Sequence, residues 1–112
     1  MSDFNITLLK VLGERIKQRR LDLDLNQEDV AKAIDMGRAS ISNIEVGRHQ
    51  VPISTLYGLS KIFKTDVQLL LPSYSEVMER MNKDNREMEE LLNTMPISPE
   101  IRISIQNILD NL

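Results

Sequence analysis

Residues 26–47, NQEDVAKAIDMGRASISNIEVG, hold two short helical patterns separated by only Asp35, Met36 and Gly37. Neither pattern is long enough to be a stable helix alone, so the stretch needs the two helices to cross and share one core. Its apolar positions meet that demand. Val30, Ala31 and Ile34 fall on one face of the first helix, Met36 sits in the turn, and Ile41 and Ile44 share a face of the second. Ala31 lies where the helices must come closest, and a larger side chain there would prop them apart. Asp35 and Gly37 supply a tight corner without β-branched residues.

The rest of the chain reads as helix on both sides of this pair, with no strand, low-complexity segment or repeat. A first helix over residues 5–21 places Leu8, Leu9, Leu12 and Ile16 on one face. Asn26 is a good N-cap for a helix over 27–34, and Gly47 closes a helix over 38–46. A fourth helix over 53–63 turns Leu56, Leu59, Ile62 and Phe63 inward. Residues 65–68 (TDVQ) read as a capping box for a fifth that ends before Pro72. Ser73 and Glu76 form a second capping box opening a long helix to residue 94. Ser98-Pro99 starts a last helix that runs to the end of the sequence. The expected organisation is all-α, with a five-helix unit at 1–72 and a two-helix tail at 73–112.

Residues 12–71 resemble the Cro/phage-repressor type of helix-turn-helix, the Xre family. Gln27, Ala31, Ile41, Ile44, the IEVGR stretch at 44–48 and Pro52 carry the resemblance. Asp35 stands where members commonly have Gly; Asp tolerates the left-handed conformation, so a small stability penalty is expected and no change of fold. The resemblance implies a lambda-repressor-like, five-helix DNA-binding domain, usually dimeric, that represses or activates transcription at a palindromic operator.

With Ile41 and Ile44 inward, the start of the second helix exposes Arg38, Ala39, Ser42 and Asn43 beside Gly37, with no acid among them. Arg38 can bond guanine in bidentate fashion, Asn43 can pair with adenine, and Ala39 can meet a thymine methyl. Candidate phosphate contacts flank this face: Gln27 at a helix N-terminus, then Arg48, His49 and Gln50, with Arg19 and Arg20 at the end of the first helix. Glu45 is read as a structural acid that pairs with Arg48 or Arg15.

The long tail helix carries Tyr74, Met78, Met81, Asn85, Met88, Leu92 and Met95 at alternating spacings of four and three, a heptad seam with one central Asn. Ile101, Ile105, Ile108 and Leu112 form a stripe on the last helix, too apolar to be left in water. Together they are the expected dimerisation surface, as a parallel coiled coil or another helical dimer; the alternative reading of the seam is a long helix packed on its own domain.

Composition excludes several other classes. There is no Cys and one His, so neither a thiolate nor a histidine cluster is available for zinc, and no Ser–His–Asp set or Gly-rich phosphate loop suggests an enzyme. No cofactor is expected. The longest aliphatic run, Leu69-Leu70-Leu71, is far too short for a membrane span, and the start lacks a signal-peptide pattern, which fits a cytoplasmic protein. The net charge of −3 is uneven: residues 1–72 carry ten Lys/Arg against nine Asp/Glu, and residues 73–112 carry four against eight. An acidic tail therefore leaves room for a positive face on double-stranded DNA. The leading expectation is a homodimeric transcriptional regulator, a repressor, at a palindromic operator. The alternative is an antitoxin-type protein that also binds a partner protein and autoregulates their operon.

Overall fold

The computed structural model describes residues 3–111, and every regular element within them is an α-helix: α1 (Asp3–Asp22), α2 (Gln27–Ala33), α3 (Arg38–Glu45), α4 (Ile53–Ile62), α5 (Val67–Leu70), α6 (Tyr74–Thr94) and α7 (Pro99–Asp110). None is long and apolar enough to cross a membrane. The first five helices enclose one core of Leu12, Ile16, Val30, Ala31, Ile41, Ile44, Leu56, Leu59, Phe63 and Leu70. Ala31 is buried in it, as the crossing of α2 on α3 requires.

Local chemistry sets the ends of these helices. Asn26 accepts from the Asp29 N–H while the Asp29 carboxylate accepts from the Asn26 N–H, closing the start of α2. Ser73 and Glu76 do the same for α6, and the Ser98 hydroxyl accepts from the Ile101 N–H at α7. The capping box expected at residues 65–68 does not form. Asp66 is the N-cap of α5, makes no side-chain cap bond, and the Thr65 N–H is taken by the carbonyl of Ser60. Between α2 and α3 the left-handed residue is Asp35, at φ 56°, whereas Gly37 is an ordinary extended N-cap at φ −77°. The corner thus depends on Asp35, and Gly37 is not needed for its backbone freedom.

Two glycines let α1 lie almost on the backbone of α3. A Cβ on Gly13 would fall 2.4 Å from the Ile44 carbonyl oxygen and 2.6 Å from that of Glu45. Gly47, at φ +78°, turns the chain out of α3, and a Cβ there would sit 2.9 Å from the Lys10 Cα.

Beside this contact Arg20 and Glu45 form a buried ion pair, with 7% and 5% of their surface exposed. Arg20 Nε and Nη2 donate to the two Glu45 carboxylate oxygens at 2.7 and 2.9 Å, and Nη1 donates to the Leu25 carbonyl at 2.9 Å. Gln27 Nε2 donates to Glu45 Oε1 at 3.1 Å. The hydrogen bond from Arg20 to Glu45 outweighs the cost of burial and raises the arginine pKa further, so this cation is permanent. Two sequence expectations are corrected here. Glu45 pairs with neither Arg48 nor Arg15, and Arg20 is an internal tie rather than a phosphate contact.

α6 docks on α1 of its own chain. Val77 is fully buried, Tyr74 stacks on Phe4 with ring centroids 5.0 Å apart, and Arg80 makes a two-bond pair with Glu14 at 2.8 and 3.0 Å. Of the two arrangements open from the sequence, the helix folded back on its domain is the one observed. The buried positions of α6 are Val77 and, further along, Leu92, with Met81 and Asp84 half-buried. Tyr74, expected in the heptad seam, is largely exposed, while Met78 and Asn85 are half-buried.

Gly13→Ala is expected to destabilise the protein by about 1–3 kcal/mol in thermal or denaturant melts, although alanine is the better helix former by ~1 kcal/mol. Parent-like melts would mean that α1 and α3 separate at little cost. Glu45→Ala should cost about 3–5 kcal/mol by leaving Arg20 buried and uncompensated, and Arg20→Met/Glu45→Met should recover most of that loss. Additive single losses in that cycle would contradict a coupled pair.

Candidate nucleic-acid interface

α3 is an eight-residue helix with one buried side and one open side. Ile41, Ile44 and Glu45 face inward; Arg38 and Ala39 are exposed, and Ser42 and Asn43 are half-exposed. Its only acid is thus turned away and neutralised by Arg20. What faces out is a cation, a methyl, a hydroxyl and an amide within six residues, and a Cβ on Gly37 would meet nothing within 4 Å. The first turn of α3 therefore stands clear of the rest of the chain and offers donors and acceptors to a base edge.

The flanking residues divide. Arg48 and His49, in the segment that leaves α3, are exposed, and Arg48 Nη1 reaches Asn43 Oδ1 at 3.5 Å, joining the candidate phosphate cation to a candidate base reader. Gln50 is exposed and borders an apolar recess formed with Leu8, Leu12 and Leu71. Gln27 stands at the first position of α2, but its side-chain amide is held by Glu45. Arg19 lies apart, in a recess with Arg15, Gln18 and Leu69 of α5. The structure brings Arg38, Ala39, Ser42, Asn43, Arg48 and His49 together on α3 and the turn that follows it, and leaves Arg19 and Arg20 out.

The sequence reading missed three features. Gly13 sets the depth at which α3 sits, Arg20 is the counterion that keeps Glu45 off the open face, and Gln27 connects that pair to α2. Glu45 was the available signal: an acid next to Ile44 on an otherwise acid-free helix requires a buried partner.

A helix-turn-helix family model matches residues 16–70. The ImmF control region 10 kDa protein of Bacillus phage phi105 is 33% identical over 75 residues, covering 67% of this chain and 83% of the phage protein. A transcriptional regulator in the ATPase CF(0) region of Rhodospirillum rubrum is 38% identical over 50 residues, 45% of this chain and 46% of that protein, so the match spans under half of its length. Among solved structures, the restriction-modification controller protein C.AhdI of Aeromonas hydrophila superposes with a TM-score of 0.55 at 22% identity, covering 56% of this chain and 96% of the controller. The clp gene regulator ClgR of Corynebacterium glutamicum superposes with a TM-score of 0.66 at 20% identity, covering 80% of this chain and 96% of ClgR, so the shared fold reaches past the five-helix unit into the tail. Motif, fold and relatives agree: the chain belongs to the Cro/phage-repressor (Xre) family of helix-turn-helix transcriptional regulators.

Proposed function

We propose that this protein is a cytoplasmic homodimer that binds a palindromic operator through α3 and represses transcription there by occluding the promoter. The observation that carries the reading is the outer face of α3: Arg38, Ala39, Ser42 and Asn43 stand open while Glu45 is locked inside by Arg20. Arg38 and Asn43 would read bases in the major groove, with Ala39 and Ser42 filling the contact. Arg48, His49, Gln50 and the α2 N-terminus at Gln27 would hold phosphates. A phage control-region protein among its relatives supports a role in gene control.

The dimer rests on the distal tail. α7 has no buried residue along its twelve, and Ile101, Ile103 and Ile108 are all more than half exposed. Met88 and Leu91 of α6, and Met95 just after it, are exposed as well, and the hydrogen bonds between α6 and α7 join polar side chains, from Arg102 to Asn93 and from Gln106 to Glu89. A helix pair that leaves so much apolar surface in water is stabilised by covering it, and a second copy of the same hairpin supplies a matching surface. Ile105 is half-buried, and Leu112 lies outside the described residues. Ile53, Tyr57 and Leu69 on α4 and α5 are exposed as well. They belong to the five-helix unit itself, whereas the hairpin lies outside it, so the hairpin is the dimer interface proposed.

Arg38→Ala should cost roughly 1–3 kcal/mol of specific binding and relax preference at one G·C pair, measured by competition between a selected duplex and random DNA. Equal weakening on both would make Arg38 a phosphate contact. Arg48→Ala should lower affinity on all sequences and reduce the salt slope by about 1 per protomer; an unchanged slope removes it from the phosphate set. Ile101→Asp/Ile108→Asp should convert the dimer to monomer in sedimentation while leaving the five-helix core folded. A variant that still sediments as a dimer would move the interface to α4 and α5.

A further inference from the structure

In a homodimer joined by its tails, the distance and rotation between the two α3 helices depend on how firmly α6 is fixed to the five-helix unit. Only Pro72 stands between Leu71, the C-cap of α5, and Ser73, the N-cap of α6, and proline allows little rotation at that joint. Arg15 of α1 spans the joint: its Nη1 donates to the Leu71 carbonyl at 3.2 Å on one side and its Nη2 pairs with Glu76 on the other. One helical turn further along α6, Arg80 grips Glu14 through both oxygens, and Asp84 pairs with Lys10 at 3.5 Å. Val77 is fully buried between these pairs. Single ion pairs at this exposure hold little, but three of them around a buried side chain oppose both sliding and swinging of α6. The same α1 lies on α3 through Gly13 and Gly47, with no room for a side chain between them. α3, α1 and the first half of α6 are therefore one rigid body.

We propose that the clamp of Glu14 and Arg15 on Arg80 and Glu76 makes half-site spacing a specificity determinant: the operator is accepted only when its two halves match the separation that the clamp imposes on the two α3 helices. This rests on the homodimer reading given above. Moving a half-site by 2 bp rotates it by about 70° around the duplex and shifts it by ~7 Å along the axis. A pair of domains on flexible linkers follows such a change, whereas a pair of rigid bodies loses simultaneous engagement and with it the avidity of the linked sites. Glu14, Arg15, Glu76 and Arg80 belong to neither the α3 face nor the open surface of the α6–α7 hairpin, so they would set specificity without touching DNA or the second copy.

The test uses the full chain and a duplex selected by it from a random library, remade with 1 and 2 bp inserted or removed at its centre. The parent protein is expected to lose about 10²–10⁴-fold in affinity on the 2-bp variants, the range set by loss of linked binding. Arg80→Glu, which faces Glu14 with a like charge, should shrink that discrimination to within about tenfold, while binding to an isolated half-site duplex stays at the parent value. Glu14→Arg/Arg80→Glu, which rebuilds the pair in reverse, should restore it. Glu14→Arg, which sets a like charge against Arg80 from the α1 side, carries the same test should Arg80→Glu not fold by circular dichroism. Parent binding that tolerates the 2-bp changes, or a folded dimeric Arg80→Glu that keeps full discrimination, overturns the clamp. A parent chain that occupies the selected duplex as a monomer in sedimentation overturns the homodimer reading and the clamp together, whereas a dimer indifferent to spacing removes the clamp alone.

Discussion

α1 and α3 approach so closely that the hydrogens of Gly13 face the carbonyl oxygens of Ile44 and Glu45, where a methyl group would lie 2.4 Å from oxygen. Everything else around α2 and α3 follows from that contact. With α3 pressed on α1, the carboxylate of Glu45 has no route to water and must be paired where it stands. Arg20 supplies the pair and its remaining N–H donates to the Leu25 carbonyl, while the Gln27 amide donates to the Glu45 carboxylate, so the link between α1 and α2 and the start of α2 are fixed by the same network. Such a pair adds little net stability against an apolar substitute, but it tolerates no unpaired member. Its effect is to fix geometry: α2 and α3 are held in one orientation, and the outward side of α3 is left without negative charge.

On the opposite side, α1 takes up the tail. The acids of residues 73–112 are not all free in solvent: Glu76 and Asp84 pair with cations of α1, and Arg80 in turn donates to the Glu14 carboxylate. Part of the tail's negative charge is thereby spent on α1 and part lies beyond it, on α6 and α7, away from α3. The uneven charge noted in the sequence is thus partly neutralised in the fold, by pairs between the tail and α1.

Much of this was legible in the sequence because helix signals are local. Asn26, Ser73 and Ser98-Pro99 mark helix starts, Gly47 marks an end, and the spacing of Val30, Ala31, Ile41 and Ile44 defines two crossed helices before any coordinate is known. What failed was non-local or competitive. TDVQ has the letters of a capping box, but Lys64 adopts φ 51° to close α4, and the Ser60 carbonyl takes the Thr65 N–H first. The heptad seam of α6 starts at Tyr74, which is largely exposed, and Met88 further along it is exposed too; the residue that α6 buries is Val77, near Arg80 and Asp84, to which the α1 surface offers Glu14 and Lys10. No pattern within α6 contains that information. Arg19 and Arg20 look alike in sequence, and only the 100° between successive helix positions sends one toward α5 and the other into the pair with Glu45.

The central claim is that α3 reads base edges in the major groove through Arg38, in two symmetry-related places on one duplex. Interference by methylation of guanine N7 on a selected duplex tests it most directly, because that atom lies in the major groove and is half of the bidentate arginine contact. The account predicts interference at two guanines related by the dyad of the site, about one helical turn apart, that disappears in both halves for Arg38→Ala. Interference confined to one half, or a pattern that Arg38→Ala leaves unchanged, would contradict it.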